Sequence, residues 1–108
     1  MVRQAAVSYL MDLGYSAKHI TVERQIIVNR LQKRYDIVVS TRSGDPYILI
    51  ECKQPKESLK MSVLEQASIY NLTLTGQYIW ITNGHNHKIY EIDHEQKVSR
   101  SIEYLPSP

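Results

Sequence analysis

Two short runs, Ile37-Val38-Val39 and Tyr47-Ile48-Leu49-Ile50, carry no polar alternation. Side chains of a strand point alternately to its two faces, so a strand with one wet face alternates apolar and polar residues. Strands written like these bury both faces. They call for a sheet covered by helices. With 108 residues and 43% hydrophobic content, the chain is one domain's worth of sequence with a modest core. A disordered or collagen-like chain is excluded.

The remaining pattern fills in around those runs. Residues 3–13, "RQAAVSYLMDL", set Ala6, Val7, Leu10, Met11 and Leu13 on one side at helical spacing, with Gly14 as a stop. Residues 20–28 have strand propensity, with Val22, Arg24 and Ile26 on one face. "NRLQKR" reads as a turn and "YDIVVST" as a second strand. "RSGD" turns a hairpin into the third strand, "PYILIECKQ", which Pro46 opens and Pro55 closes. Leu59, Val63, Ala67, Tyr70 and Leu74 then recur three or four apart after Ser58, which predicts a helix over 59–75 ended at Gly76. "QYIWIT" and "KIYEID" are strands around the turn "NGHNH", with Gly84 at positive φ, and "EYLPSP" is a tail without pattern that frays or marks a cut. Such an order gives an α/β fold: a mixed central sheet with flanking helices, including one right-handed strand–helix–strand unit.

Composition limits the function classes. The single cysteine, Cys52, excludes a disulfide framework and a cysteine-based zinc site. No apolar run approaches membrane-spanning length and Met1 is not followed by a leader, so a cytoplasmic chain without membrane contact is expected. Net charge is +2, but residues 1–60 hold ten Lys/Arg against six Asp/Glu, and residues 61–108 three against five. This permits a phosphate-facing side in the first half.

The chemistry concentrates at the end of the third strand. By alternation Tyr47, Leu49, Glu51 and Lys53 share one face, and Ile48, Ile50 and Cys52 the other. If "YDIVVS" pairs antiparallel with this strand about a turn centred on Gly44, Asp36 stands opposite Cys52, level with Glu51 to Lys53. Two carboxylates and an ammonium then meet at one end of adjacent strands. Hard divalent cations take oxygen ligands, and Mg²⁺ is held by one or two carboxylates plus waters and substrate phosphate. Asp36 and Glu51 supply such ligands, with Mn²⁺ as a substitute metal. Lys53, roughly 6–7 Å along the same face, could hold an attacking water or offset developing phosphate charge. The spacing alone is unspecific, since Glu95-Gln96-Lys97 repeats it in a surface-type segment. A cross-strand salt bridge explains Asp36, Glu51 and Lys53 as well as a metal site does.

Other residues bear on the choice. Gln66 and Tyr70 lie i,i+4 on the expected second helix and could support Lys53 or meet a phosphate. Glu23, inside a strand-like stretch, is either a third, outer carboxylate or a solvent-facing alternation residue. Arg30, Lys33 and Arg34 precede Asp36, and with Lys56 and Lys60 they could border a DNA backbone. His85 and His87 read as a surface turn with no third ligand nearby in sequence. Cys52 reads as a small apolar filler and Trp80 as core.

Taken in order, "RYDIVV", "IECK", "EQASIYN" and "ITNG" resemble the N-terminal domain of the type I restriction enzyme R subunit, within the PD-(D/E)XK nuclease superfamily. The similarity runs from "VRQAAVSYLMDLGY" through "KIYEID". It implies a restriction-endonuclease-like three-layer core and Mg²⁺-dependent cleavage of double-stranded DNA. Asp36, Glu51 and Lys53 match the catalytic set, Gln66 and Tyr70 the downstream Q-x-x-x-Y element, and Glu23 the upstream acid. Tyr35 replaces the family's proline before the aspartate, which is not a ligand. R subunits continue into an ATP-driven translocase and act with other restriction-system subunits, but these residues contain no P-loop. The chain is therefore one nuclease-like domain over 1–108, excised from or related to an R subunit, or standing alone. Two functions follow: a metal-dependent endonuclease, or a catalytically silent module of the same fold that binds DNA or docks a subunit. The metal set is complete, which favours the enzyme.

Overall fold

The unbroken apolar runs do lie at the centre of a sheet with both faces covered. The structure is a computed structural model that describes residues 2–28, 31–56 and 76–108. Helix α1 (Val2–Leu13) and a short 3-10 turn (Ala17–His19) precede six strands: β1 (Ile20–Val28), β2 (Leu31–Ser40), β3 (Pro46–Cys52), β4 (Tyr78–Thr82), β5 (His87–Asp93) and β6 (Val98–Ile102). They form one sheet in chain order. Neighbours are antiparallel except β3 and β4, which are parallel. Parallel neighbours need a crossover connection. The expected second helix, 59–75, lies outside the described residues. Among the described residues, no helix is long and apolar enough to cross a membrane.

Helix α1 packs Ala6 and Leu10 onto Ile37, Val39, Ile48, Ile50, Trp80 and Ile89 from the strands. Each fully buried Leu or Ile side chain there contributes about 1.5–3 kcal/mol of transfer free energy. On the opposite face Val38 and Leu49 are equally inaccessible. Met11, expected on the buried side of α1, is 49% exposed, because the helix buries only the narrow stripe that spacing four selects. Its end is built by Gly14 at φ 112°. Gly14 N–H donates to the Met11 carbonyl and Tyr15 N–H to the Leu10 carbonyl, the pair of bonds that closes a helix through a left-handed residue.

Four expectations are corrected. "NRLQKR" is not all turn: β2 begins at Leu31, and the ladder to β1 reaches Val28↔Leu31. A sixth strand, Val98–Ile102, follows the expected five. The tail does not fray, since Leu105 joins the core and Tyr15 Oη donates to the Pro106 carbonyl at 2.6 Å. The β2–β3 register is also shifted by one. Gly44 follows the turn at φ 90° and does not centre it, with its N–H donating to the Thr41 carbonyl at 2.9 Å. That is the three-residue hairpin form, a turn followed by a left-handed residue. An irregularity between Val39 and Ser40 then sets Ile37 against Ile50.

Candidate active site

The corrected register matters most at Asp36. The pairing ends at Ile37↔Ile50, and its register continued by one residue sets Asp36 level with Glu51, where the centred turn had set it against Cys52. The corrected register therefore brings Asp36 one residue closer to Glu51 than the sequence implied. Asp36 Oδ2 accepts the Cys52 N–H at 2.7 Å, which fixes the carboxylate at the strand end. A carboxylate has about four lone-pair sites, so Asp36 keeps acceptor capacity after this bond.

Glu51 is 5% exposed, and the Lys53 ammonium lies 3.8 Å from its Oε2. Lys53 is held in strand geometry one residue past β3 by its N–H, which donates to the Thr82 carbonyl at 2.7 Å. Asp36, Lys53, Cys52, Gln54 and Pro55 line an open pocket of about 550 Å³, closed on one side by Val2 and Arg3 of α1. Burial, followed by the charge of Asp36, pushes the Cys52 thiol up to about 11, with Arg3 opposing. A thiol so protonated at neutral pH is no nucleophile.

Glu23 is exposed, as a solvent-facing strand residue would be, but its backbone is unusual. The β1–β2 ladder pairs Val22↔Ile37 and Arg24↔Tyr35, leaving Glu23 opposite Asp36. There its backbone takes φ 55°, a left-handed conformation that costs a side-chain-bearing residue roughly 1–2 kcal/mol. Its Oε1 meets Arg3 at 2.8 Å and Arg34 at 3.9 Å. By register Glu23, Asp36 and Glu51 thus fall level on β1, β2 and β3, at a place where both ladders are interrupted. Arg3 escaped the sequence reading because it sits in the first turn of α1, and nothing local says that this turn ends over the strand ends.

The outer basic residues divide. Arg34 is exposed and turned toward Glu23, and Lys56 is exposed just past Pro55. Lys33 pairs with Ile26 in the ladder, its side chain outside the description, and Arg30, Lys60, Gln66 and Tyr70 lie outside the described residues. His85 and His87 are exposed in and beside the β4–β5 turn. Among the described residues, no three His, Cys, Asp or Glu side chains cluster closely enough to enclose a metal with protein groups alone. A half-buried Asp36 at an open pocket, with the buried Glu51 on the neighbouring strand, is a donor set that Mg²⁺ could take, with water and substrate completing the shell.

The mixed sheet, its helix-covered face and a carboxylate pair at the end of adjacent strands define a restriction-endonuclease-like α/β fold. The family model for the type I restriction enzyme R protein N terminus matches residues 1–106, and the chain belongs to that family. By family the chain corresponds to the N terminus of a type I restriction enzyme R protein. Among solved structures, a fragment assigned as the HsdR subunit of a type I restriction enzyme from Vibrio vulnificus YJ016 aligns with TM-score 0.62 and 22% identity, over 94% of this chain and 22% of that one. A protein assigned as a nuclease of the DUF820 group from Anabaena variabilis ATCC 29413 gives 0.63 and 14%, over 99% and 70%. The type IIG restriction endonuclease BpuSI gives 0.56 and 17%, over 88% and 11%. At these identities the likeness concerns the fold. No curated protein matches the chain. The chain spans about a fifth of the HsdR fragment's length.

Proposed function

We propose that the chain is the metal-dependent endonuclease domain of a type I restriction system, hydrolysing phosphodiester bonds of double-stranded DNA. The observation that carries this reading is Asp36, held by the Cys52 N–H, lining one open pocket with Lys53, whose ammonium lies 3.8 Å from Glu51. Asp36 and Glu51 would hold Mg²⁺, or Mn²⁺ in its place. The ion supplies Lewis-acid stabilisation of a phosphate oxygen when bound. Asp36, anchored by the Cys52 N–H, presents its remaining lone pairs without reorganisation. Lys53 donates to the attacking water or to the phosphate oxygens as negative charge builds, a service that needs the ammonium held in place before reaction. Its tether to Thr82 and its partner Glu51 hold it so.

Arg3 adds a cation on the α1 side of the pocket, and Arg34 and Lys56 extend the basic border along which a DNA backbone could lie. In this reading residues 1–108 act as one nuclease module in the cytoplasm. They work alongside an ATP-driven translocase domain and the other restriction-system subunits. The test is plasmid nicking with Mg²⁺ or Mn²⁺ by wild type, Asp36→Asn and Lys53→Ala. Wild type nicks, and each substitution lowers the rate by about a hundredfold or more with an unchanged circular dichroism spectrum. Nicking that survives either substitution at the wild-type rate overturns the assignment. Metal-independent DNA binding without nicking would point to the silent module.

A further inference from the structure

A second pocket, of about 360 Å³, opens beside the first, between α1, the β4–β5 turn and the segment after β6. That volume is at the small end of the roughly 300–1,000 Å³ typical of ligand sites. Its lining is mostly apolar and includes Tyr9, the largely buried Trp80, His87 and Tyr104. Trp80 stands 5.4 Å from Tyr9 and 5.8 Å from His87, centroid to centroid, and Tyr104 at the rim is 74% exposed. Glu103 supplies a carboxylate. Trp80 Nε1–H donates to His87 Nδ1 at 3.2 Å, so the neutral ring carries its proton on Nε2 and offers a donor there. Aromatic faces, one acceptor and one donor in a small pocket are the elements that recognise a nucleobase by stacking and edge hydrogen bonds.

The position of the pocket selects among occupants. Val2 lines both pockets, and Thr82, which lines this one, also holds the Lys53 N–H. A strand crossing the Asp36–Lys53 pocket therefore passes its mouth. The Glu103 carboxylate repels phosphate but accepts from an exocyclic amine. A quaternary ammonium would use the aromatic faces and the carboxylate, yet it gains nothing from the His87 N–H. We propose that this pocket takes one unstacked nucleobase of the DNA strand bound across the neighbouring Asp36–Lys53 pocket, with preference for a base bearing an exocyclic amine. For its DNA the proposal rests on the nuclease reading.

Trp80 is the chain's single tryptophan, so its fluorescence reports the pocket without a label. The titrants are short oligo(dC) and oligo(dT) in EDTA, which separates binding from cleavage. Saturable quenching is expected, tighter for oligo(dC). Tyr104→Ala, a substitution at an exposed position, should weaken it about tenfold with an unchanged melting temperature, and Glu103→Ala should erase the preference for oligo(dC). Absence of quenching, quenching indifferent to Tyr104→Ala, or tighter binding of a trimethyl-lysine peptide than of DNA overturns the proposal. Quenching that depends on Tyr104 in a protein that never nicks DNA keeps the base pocket and removes the nuclease reading. Asp36-dependent nicking without quenching does the reverse.

Discussion

The chain contains the Glu-x-Lys spacing twice, and the two copies fold into opposite environments. Glu51 and Lys53 end a strand whose preceding residues Ile48, Leu49 and Ile50 are fully buried, so Glu51 is carried into the protein at 5% exposure. Glu95 and Lys97 lie in the β5–β6 turn, both exposed. The Asp93 carboxylate shapes that turn by accepting the Glu95 and Gln96 N–H groups at 3.0 and 3.1 Å. Spacing is thus shared, while burial and an Asp36 level by register belong to one copy alone. A buried carboxylate pays desolvation that an exposed one avoids. Its presence at a strand end asks for a compensating role.

The largest effect expected from this contrast comes from one substitution made at both places. Glu51→Met removes a buried charge and keeps the side chain's length. The Lys53 ammonium, 3.8 Å away and 30% exposed, can turn to water when its partner goes, so relief of the buried charge should stabilise by about 1 kcal/mol, or a melting temperature about 4–8 °C higher. The same protein should lose nicking by about a hundredfold or more. Glu95→Met should move neither quantity, as surface changes stay within about 0.5 kcal/mol. Thermal melts and plasmid nicking on both variants check this. A Glu51→Met protein that is as active as wild type, or less stable than it, breaks the contrast.

The sequence was informative where one periodicity dominated. Ile37–Val39, Tyr47–Ile50 and the spacing of Ala6 and Leu10 state their elements, and the level of Asp36 relative to Glu51 follows to within one residue. That last residue was lost because Gly44 and Asp45 suggested the centre of a turn, whereas Gly44 takes the left-handed position after it. Charged residues misled at Leu31–Arg34. The β1–β2 ladder continues to Val28↔Leu31 by backbone pairing, which a polar sequence does not announce. Val98–Ile102 was missed for a related reason. It is an edge strand, almost wholly exposed, whose "VSRSI" carries no apolar run. Arg3, the aromatic pocket and the conformation of Glu23 depend on tertiary approach, which no local pattern encodes.

Glu23 sharpens the comparison from a third strand. It stands level with Asp36 and Glu51 by register but is half exposed, with its cost in the backbone and not in desolvation. Glu23→Gly relieves the left-handed strain, worth roughly 1 kcal/mol, and forfeits exposed ion pairs worth no more than that. Stability should therefore hold or rise slightly. If Glu23 serves as the outer carboxylate, nicking should fall about tenfold, less than for Glu51→Met. Urea denaturation and nicking rates separate the two readings. A variant that is destabilised by more than about 1 kcal/mol identifies the Arg3 contact as structural, and unchanged nicking removes Glu23 from the site.

The smallest effect is read through Cys52, whose N–H holds Asp36 but whose thiol serves neither carboxylate. Its thiol is raised from 9.0 to about 11, by burial first and the Asp36 charge second. A raised thiol favours the protonated folded form, so this contribution to stability is complete below about pH 9. It is lost as pH climbs toward 11, where the unfolded chain is already ionised and the folded chain becomes so. Alkylation by iodoacetamide, which consumes the thiolate, should keep accelerating through pH 10 in the folded protein and level off near pH 9 in urea. Asp36→Asn should lower the folded midpoint only in part, since burial remains. Saturating Mg²⁺ should lower it in wild type, through positive charge beside the same carboxylates, and leave the Asp36→Asn midpoint unmoved. A folded-state profile that levels at pH 9 would break the link between the thiol and the carboxylate end of the sheet. A Mg²⁺ effect equal in both proteins would place the ion somewhere other than Asp36.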